Sequence, residues 1–243
     1  MAALYDSIGR NYRRHRRPDP RIGAAVLRGL ADARAVVNVG AGAGSYEPPD
    51  RLVIAVEPSI VMIRQRASDA APVVQASATA LPFRDASFDA ALAILTLHHW
   101  PDWERGIREL RRVARGRIVI VTWDPANSGF WLTDYFPGTL ACDRQIFPSL
   151  QQIGAVLGPM AITELPIPHD CSDGVLGAYW RRPEAYLNEG VRAAISTFSK
   201  VGDLSGPLER LRRDLDSGDW QRRYGGLMDL PELDLGYRII VAG

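Results

Sequence analysis

The chain has 243 residues, 47% of them hydrophobic and 23% charged, and 29 Lys+Arg against 28 Asp+Glu leave a formal net charge of +1. That is apolar material enough for a full core in one large domain. A charge so near zero argues against nucleic acid or an anionic membrane as an obligatory partner, because phosphate binding needs a clear basic excess. Two cysteines, Cys142 and Cys171, cannot staple a fold of this size, which favours a reducing compartment. The opening MAALYDSIGR has no apolar leader segment. No apolar run nears the ~18 residues that span a bilayer. A cytoplasmic α/β protein is the expectation.

In chain order, Pro20–Leu30 has the spacing of a helix. Short β-branched runs follow: Ala35–Val39, Leu52–Val56, Val73–Ala76, Phe88–Thr96 and Arg117–Trp123. Most are apolar on both faces, as parallel strands covered by helices must be. Between them Ser59–Ser68 and Asp102–Ala114 read as helices, the second with Trp103, Ile107, Leu110 and Val113 at helical spacing. This alternation predicts a doubly wound, Rossmann-like α/β sheet with right-handed crossovers. Beyond it, Asn127–Phe147 is rich in aromatics, Gly and Pro, the composition of a loop-rich cover or a short helical insertion. Gln151–Leu157 reads as helix, Ala161–Ile167 as a sixth strand, Pro183–Phe198 and Pro207–Arg223 as helices, and Arg238–Ala242 as a terminal strand. With no repeat or long linker, the expectation is a single domain: a lid over 1–30, a core over 31–124, a cover with C-terminal helices over 125–223, and a last strand within 235–242.

The most informative stretch is VVNVGAGAGSYEP, Val36 to Pro48. A buried strand runs into Gly40-Ala41-Gly42-Ala43-Gly44-Ser45, where glycines permit positive φ and close approach of backbone to a ligand. The next strand ends at Glu57, where a carboxylate can accept both ribose hydroxyls of an adenosine cofactor. Taken singly, the glycines are also explained by a tight turn and Glu57 by a solvated strand end; in this order they favour a nucleotide site. The dinucleotide pattern G-x-G-x-x-G/A fails at Ser45. Pyrophosphate also needs a helix N-terminus, yet Pro48-Pro49 leaves room for no more than a turn before Leu52. The missing helix favours a phosphate-free adenosine ligand, S-adenosylmethionine, over NAD.

These residues resemble the class I S-adenosylmethionine-dependent methyltransferases, in particular the ubiquinone-biosynthesis-like, type 11 small-molecule group. VGAGAGSYEP resembles their first motif, AVEPS (55–59) the second, and ASATALPFRDASFDAALAILTLHHW (76–100) the third and fourth. WERGIRELRRVARG with RIVIVTW resembles their next helix and fifth strand, and YDSIGRNYRRHRRPDPRI their N-terminal cover. The resemblance spans Tyr5 to Trp123, and GYRIIVAG resembles the family's antiparallel last strand, inserted between strands five and six. It implies about seven strands, mostly parallel, with an inserted substrate cover. It further implies transfer of a methyl group from a sulfonium to an O, N or C atom of a small organic molecule. Many family members carry an Asp after the third strand for the adenine amino group; this chain has Ser77-Ala78, which leaves a hydroxyl or backbone group for that edge.

On this reading the cofactor residues are Gly40, Ala41, Gly42, Ser45, Glu57, Pro58, Ser77, Ala78, Leu95 and Thr96, with Tyr12 and Arg17 from the lid. The other bases of Arg13-Arg14-His15-Arg16 read as a solvated face. His98 and His99 follow the fourth strand; either is a candidate base, His99 the preferred one, because imidazole titrates near neutrality. Packing beneath the cover, or capping of the next helix, accounts for one of them equally well. Tyr5, Trp100, Trp123, Phe130, Trp131 and Tyr135 are candidates for an apolar substrate wall, or a box for a cationic amine, against the plainer reading that they are core. His169-Asp170-Cys171-Ser172-Asp173 lacks a second ligand pair at metal spacing, so no metal is expected. Two alternatives remain: a degenerate fold that binds without turnover, and a nicotinamide-dependent oxidoreductase.

Overall fold

A computed structural model of the chain describes residues 15–127 and 129–243. Helix α1 (Pro20–Leu30) opens with Asp19 at its N-cap, whose carboxylate accepts the Arg21 amide at 3.0 Å, and with Pro20 in the first turn. Its inner face buries Ile22, Val26 and Leu30, and Gly29 lets the helix approach Val119 of the sheet. The strands are β1 (Ala35–Val39), β2 (Leu52–Val56), β3 (Val73–Val74), β4 (Phe88–Ile94), β5 (Ala114–Trp123), β6 (Met160–Glu164) and β9 (Tyr237–Ala242). They form one seven-stranded sheet in the order β3-β2-β1-β4-β5-β9-β6. β9 runs antiparallel between β5 and β6; the remaining pairs are parallel. This is the Rossmann-like sheet expected, last strand included. The order reverses beside β1, so its carboxyl end and that of β4 flank a switch-point crevice.

One apolar cluster lies on each face of the sheet: α1 with Val36, Leu92 and Val119 on one, and α3 (Trp103–Val113) with Val37, Ala91 and Ile120 on the other. A third cluster belongs to the segment after β5. Here α4 (Trp131–Tyr135), which precedes α5 (Pro137–Ile146), packs with α8 (Ser205–Asp216) and α9 (Asp219–Tyr224). No helix among the described residues is long and apolar enough to cross a membrane.

Several elements are shorter than expected. α2 covers Ile60–Ile63 only, after which Gln65 and Arg66 make i→i+3 bonds and the helix tightens out. The sixth strand stops at Glu164 because Pro166 has no N–H to continue a ladder. The chain resumes as β7 (Ile167–Pro168), paired with β8 (Glu232–Leu233) in a separate ribbon. Pro183–Phe198 is not one helix but a 3-10 turn, α7 (Glu189–Ala193) and a second 3-10 turn. The Asn188 side chain accepts the Gly190 and Val191 amides and starts α7 afresh. Gly218, at φ +75, divides α8 from α9. α6 (Leu150–Leu157) carries a capping box between Ser149 and Gln152.

Candidate functional site

β1 ends at Val39 and the chain turns at Gly40, φ +72, where a Cβ would lie 2.0 Å from Thr96 Oγ1. Gly40 therefore meets two requirements at once, a left-handed backbone and contact with the end of β4. The Gly40 and Ala41 amides both donate to the Val56 carbonyl, at 2.8 and 3.0 Å, and pin the loop to the end of β2. Glu57 follows, 5% exposed; its Oε2 accepts the Gly42 amide at 2.8 Å and its Oε1 the Ser59 amide at 2.9 Å. Between β1 and β2 there is no helix, only turns. A buried ion pair holds the loop instead. Arg66 donates to both oxygens of Glu47 at 2.8 Å, to the Gly42 carbonyl at 3.3 Å and to the Ala71 carbonyl at 2.8 Å. Glu47 in turn accepts from Asn38 Nδ2 and the Ala71 amide.

The loop floors a cavity of about 480 Å³, within the range of small-molecule sites. Gly40, Ala41, Gly42, Ser45, Glu57, Pro58, Ser77, Ala78, Leu95 and Thr96 line it, and so do His99 and Trp100. Tyr5 and Tyr12 lie outside the described residues. Arg17 is exposed and outside the cavity. Its neighbour Arg16 lines it instead, held by an ion pair with Asp173 and a backbone bridge between the same two residues. Asp173 also accepts the Tyr46 hydroxyl proton at 2.8 Å, and Tyr46 Oη accepts the Asp19 amide. Sequence reasoning missed Asn38, Tyr46, Met62 and Ile94 in the lining. Of these only Asn38, a polar residue inside an apolar strand, carried a signal. Tyr46 sits at φ +61 and Leu95 at φ +49, and such strain in residues other than glycine concentrates at functional sites.

At the end of β4, Thr96 Oγ1 accepts the Trp100 indole proton at 3.1 Å, and the indole ring lies over Gly106, where a Cβ would come within 2.3 Å. His98 does not line the cavity: its ring stacks on Phe147 at 3.9 Å, and its Nδ1 is buried without a hydrogen bond among the described residues. Burial, with His99, Lys200 and Arg16 nearby, holds His98 well below its ordinary pKa. Burial, Lys200 and Arg16 lower His99 to about 3. Both rings are neutral at pH 7.

The aromatic wall is placed otherwise than expected. Trp123 and Phe130 border a small separate space, while Trp131 and Tyr135 are buried in the third core, where aromatic partners and the Asp214 carboxylate occupy them. In the 169–173 loop, burial raises the Cys171 thiol to about 12. Among the described residues no three His, Cys, Asp or Glu side chains gather as a metal-ligand group.

A family model for a methyltransferase domain matches residues 37–121. A protein of Anabaena variabilis ATCC 29413, assigned as a methyltransferase from an antibiotic biosynthesis pathway, is 35% identical. Its solved structure superposes with a TM-score of 0.87 over 94% of this chain and 99% of that one. A demethylmenaquinone methyltransferase of Mycolicibacterium gilvum is 36% identical over 84 residues, 34% of this chain. A sterol methyltransferase-like protein of Botryococcus braunii is 30% identical over 149 residues, 56% of this chain. The chain spans 37% of the length of each of these two curated relatives. The near-complete match to the Anabaena protein and the matched domain establish that the chain belongs to the class I S-adenosylmethionine-dependent methyltransferases.

Proposed function

We propose that the protein transfers the methyl group of S-adenosylmethionine to an O, N or C atom of a small organic molecule. The observation that carries this reading is a convergence: the helix-free glycine loop, the buried Glu57 and the strained Leu95-Thr96 corner line one cavity at the switch point of the sheet. The residues fit the cofactor. Gly40 and Gly42 offer backbone without Cβ atoms, Glu57 offers a carboxylate for hydroxyl groups, and Pro58, Met62 and Ala78 offer an apolar slot for adenine, with the Ser77 hydroxyl at its edge. Arg16, which lines the cavity where Arg17 does not, would be the lid residue to meet a carboxylate. S-adenosylmethionine, when bound, supplies a methyl already activated by its sulfonium.

The protein's own task is then proximity and alignment. His99, neutral and at the cavity wall, can accept a hydrogen bond from an acceptor group, but with its pKa near 3 it is a poor holder of a proton. Residues 125–223 would form the substrate cover, with α4, α8 and α9 as its packed base. The chemistry calls for a small partner, not a nucleic acid.

The test is transfer of isotope-labelled methyl from S-adenosylmethionine to panels of phenols, amines, quinols and bulk RNA. Label in a small molecule and none in RNA is the expected result; label in RNA alone would overturn it. Saturable cofactor binding with no transfer to any acceptor would leave a binding protein, the reading that the depressed basicity of both histidines favours.

A further inference from the structure

Three segments far apart in the sequence meet beside the glycine loop: the lid stem 15–19, Tyr46 of the loop itself, and the 170–174 turn after β7. Arg16 and Asp173 form an isolated antiparallel bridge, and the Gly174 amide donates to the His15 carbonyl at 2.9 Å. Gly174 permits this approach, since a Cβ there would lie 2.5 Å from that carbonyl oxygen. Asp173, 2% exposed, accepts from Arg16 Nε on Oδ1 and from the Tyr46 hydroxyl on Oδ2, the latter at 2.8 Å. Tyr46 Oη in turn accepts the Asp19 amide at 3.1 Å. The tyrosine holds this junction from φ +61, a left-handed backbone that a bulky residue adopts only under strain.

Arg16 and Tyr46 line the cofactor cavity, and Asp173 is not among the lining residues. As a tie between lid and cover alone, a buried ion pair would be a poor choice. The desolvation of two charges offsets most of their attraction, and apolar side chains hold such a junction as well. What the pair supplies and apolar packing cannot is a cation fixed at the cavity wall. A long arginine side chain left to itself extends its charged head into water. With one edge of its planar guanidinium on Asp173 it stays, and the fork has further N–H groups for a second carboxylate. The Tyr46 hydroxyl on Oδ2 fixes the rotation of the Asp173 carboxylate. Burial and the Asp173 charge hold that hydroxyl well above its ordinary pKa, so it remains a donor.

We propose that Asp173 and Tyr46 are positioning residues for the cofactor: they hold the Arg16 guanidinium at the cavity wall, where it meets the carboxylate at the amino-acid end of S-adenosylmethionine. The proposal rests on the methyltransferase reading and deepens it. Part of the cofactor's recognition is thereby carried by a residue of the cover segment, 157 positions from the arginine it orients. Asp173 acts through Arg16 alone.

The experiment is calorimetric titration with two ligands, S-adenosylhomocysteine and its decarboxylated analogue S-adenosyl-3-thiopropylamine, which keeps the adenosine, the sulfur and the amine. The wild type should bind S-adenosylhomocysteine tighter than the analogue by roughly ten-fold or more, the scale of a charge-assisted pair. Arg16→Gln should reduce that preference to within about two-fold. Asp173→Asn and Tyr46→Phe should each reduce it by about three-fold or more, with the analogue's own affinity changed by less than about two-fold. Asp173→Asn added to Arg16→Gln should leave the preference where Arg16→Gln alone puts it. A purely structural junction would weaken both ligands alike. That result, a preference that survives in either single variant, or a gain in S-adenosylhomocysteine affinity on replacing Asp173 would overturn the proposal. Should Asp173→Asn fail to fold, Tyr46→Phe, which keeps the ring and the buried ion pair, carries the test. If the wild type binds neither ligand, the methyltransferase reading falls and the proposal with it; equal affinity of the wild type for both ligands removes the proposal alone.

Discussion

Gly40 and Glu57 act on the same few ångströms of backbone by different physics. At Gly40 the constraint is steric, since a methyl group there would overlap Thr96 Oγ1 on a backbone already at φ +72. Gly42 is less confined: a Cβ there meets only Met62 Cε at 3.4 Å, and its φ of +53 is the main bar to substitution. Gly40→Ala should therefore abolish measurable binding of S-adenosylhomocysteine, with Gly42→Ala less severe, as calorimetry would show. Glu57→Ala should weaken binding by about 1–3 kcal/mol, the scale for hydroxyls that lose a charged partner. It should also lower the melting temperature, because the Gly42 and Ser59 amides lose their acceptor. Unchanged affinity in Glu57→Ala would place the cofactor elsewhere. Glu57 was legible in the sequence because a carboxylate closing an apolar strand is conspicuous. Arg16 was not, since nothing in a run of adjacent arginines tells which one a bridge to Asp173 turns inward.

Among the elements, the segment between β1 and β2 shows what replaces a missing helix. Arg66 on the turn after α2 and Glu47 on the loop are both nearly buried, and together they satisfy the Gly42 and Ala71 carbonyls, the Ala71 amide and Asn38. Removing one partner leaves a buried charge, at a cost of about 3–5 kcal/mol. Arg66→Met should thus lower stability in denaturant titrations by that order and weaken cofactor binding. Adding Glu47→Gln should restore part of the stability, and no recovery in the double variant would contradict the pairing. The Pro48-Pro49 pair announced the missing helix in the sequence, but its substitute joins residues 19 apart, beyond any local pattern. The same holds for the second half of the chain. The apolar spacing of Pro183–Phe198 was visible, whereas the cap at Asn188 that divides it competes with helix by one side-chain bond. Trp131 and Tyr135 looked like pocket residues because aromatics after a fifth strand serve core and pocket alike; the third core, completed by Trp220 and Tyr224 some 90 residues on, decides for the core.

For the molecule as a whole, two packed sheet faces and a separate cover core meet above the carboxyl edge, where buried titratable groups collect. His98 and His99 are held below their ordinary value of 6.5, so below that pH the unfolded chain binds two protons that the fold refuses. Asp143, raised from 3.8 to about 6, does the reverse and favours the fold as the pH drops through that window. Two histidines outweigh one carboxyl by about one proton. Between pH 5 and 6, above the range in which Asp19, Asp89 and the other carboxylates held low by their hydrogen bonds take up protons on unfolding, stability should accordingly climb by roughly 1 kcal/mol per pH unit. Replacing both histidines by glutamine should flatten or invert the slope in melts recorded across that range; a slope unchanged by the double replacement would mean that the rings are not held neutral by the fold.

The most direct measurement is a calorimetric titration of S-adenosylhomocysteine into the folded wild-type protein and into Gly40→Ala, with NADH as the competing ligand. The account predicts one saturable site in the wild type, none in the variant, and no displacement by NADH. A flat wild-type isotherm, or occupancy of the same site by the nicotinamide, would contradict it.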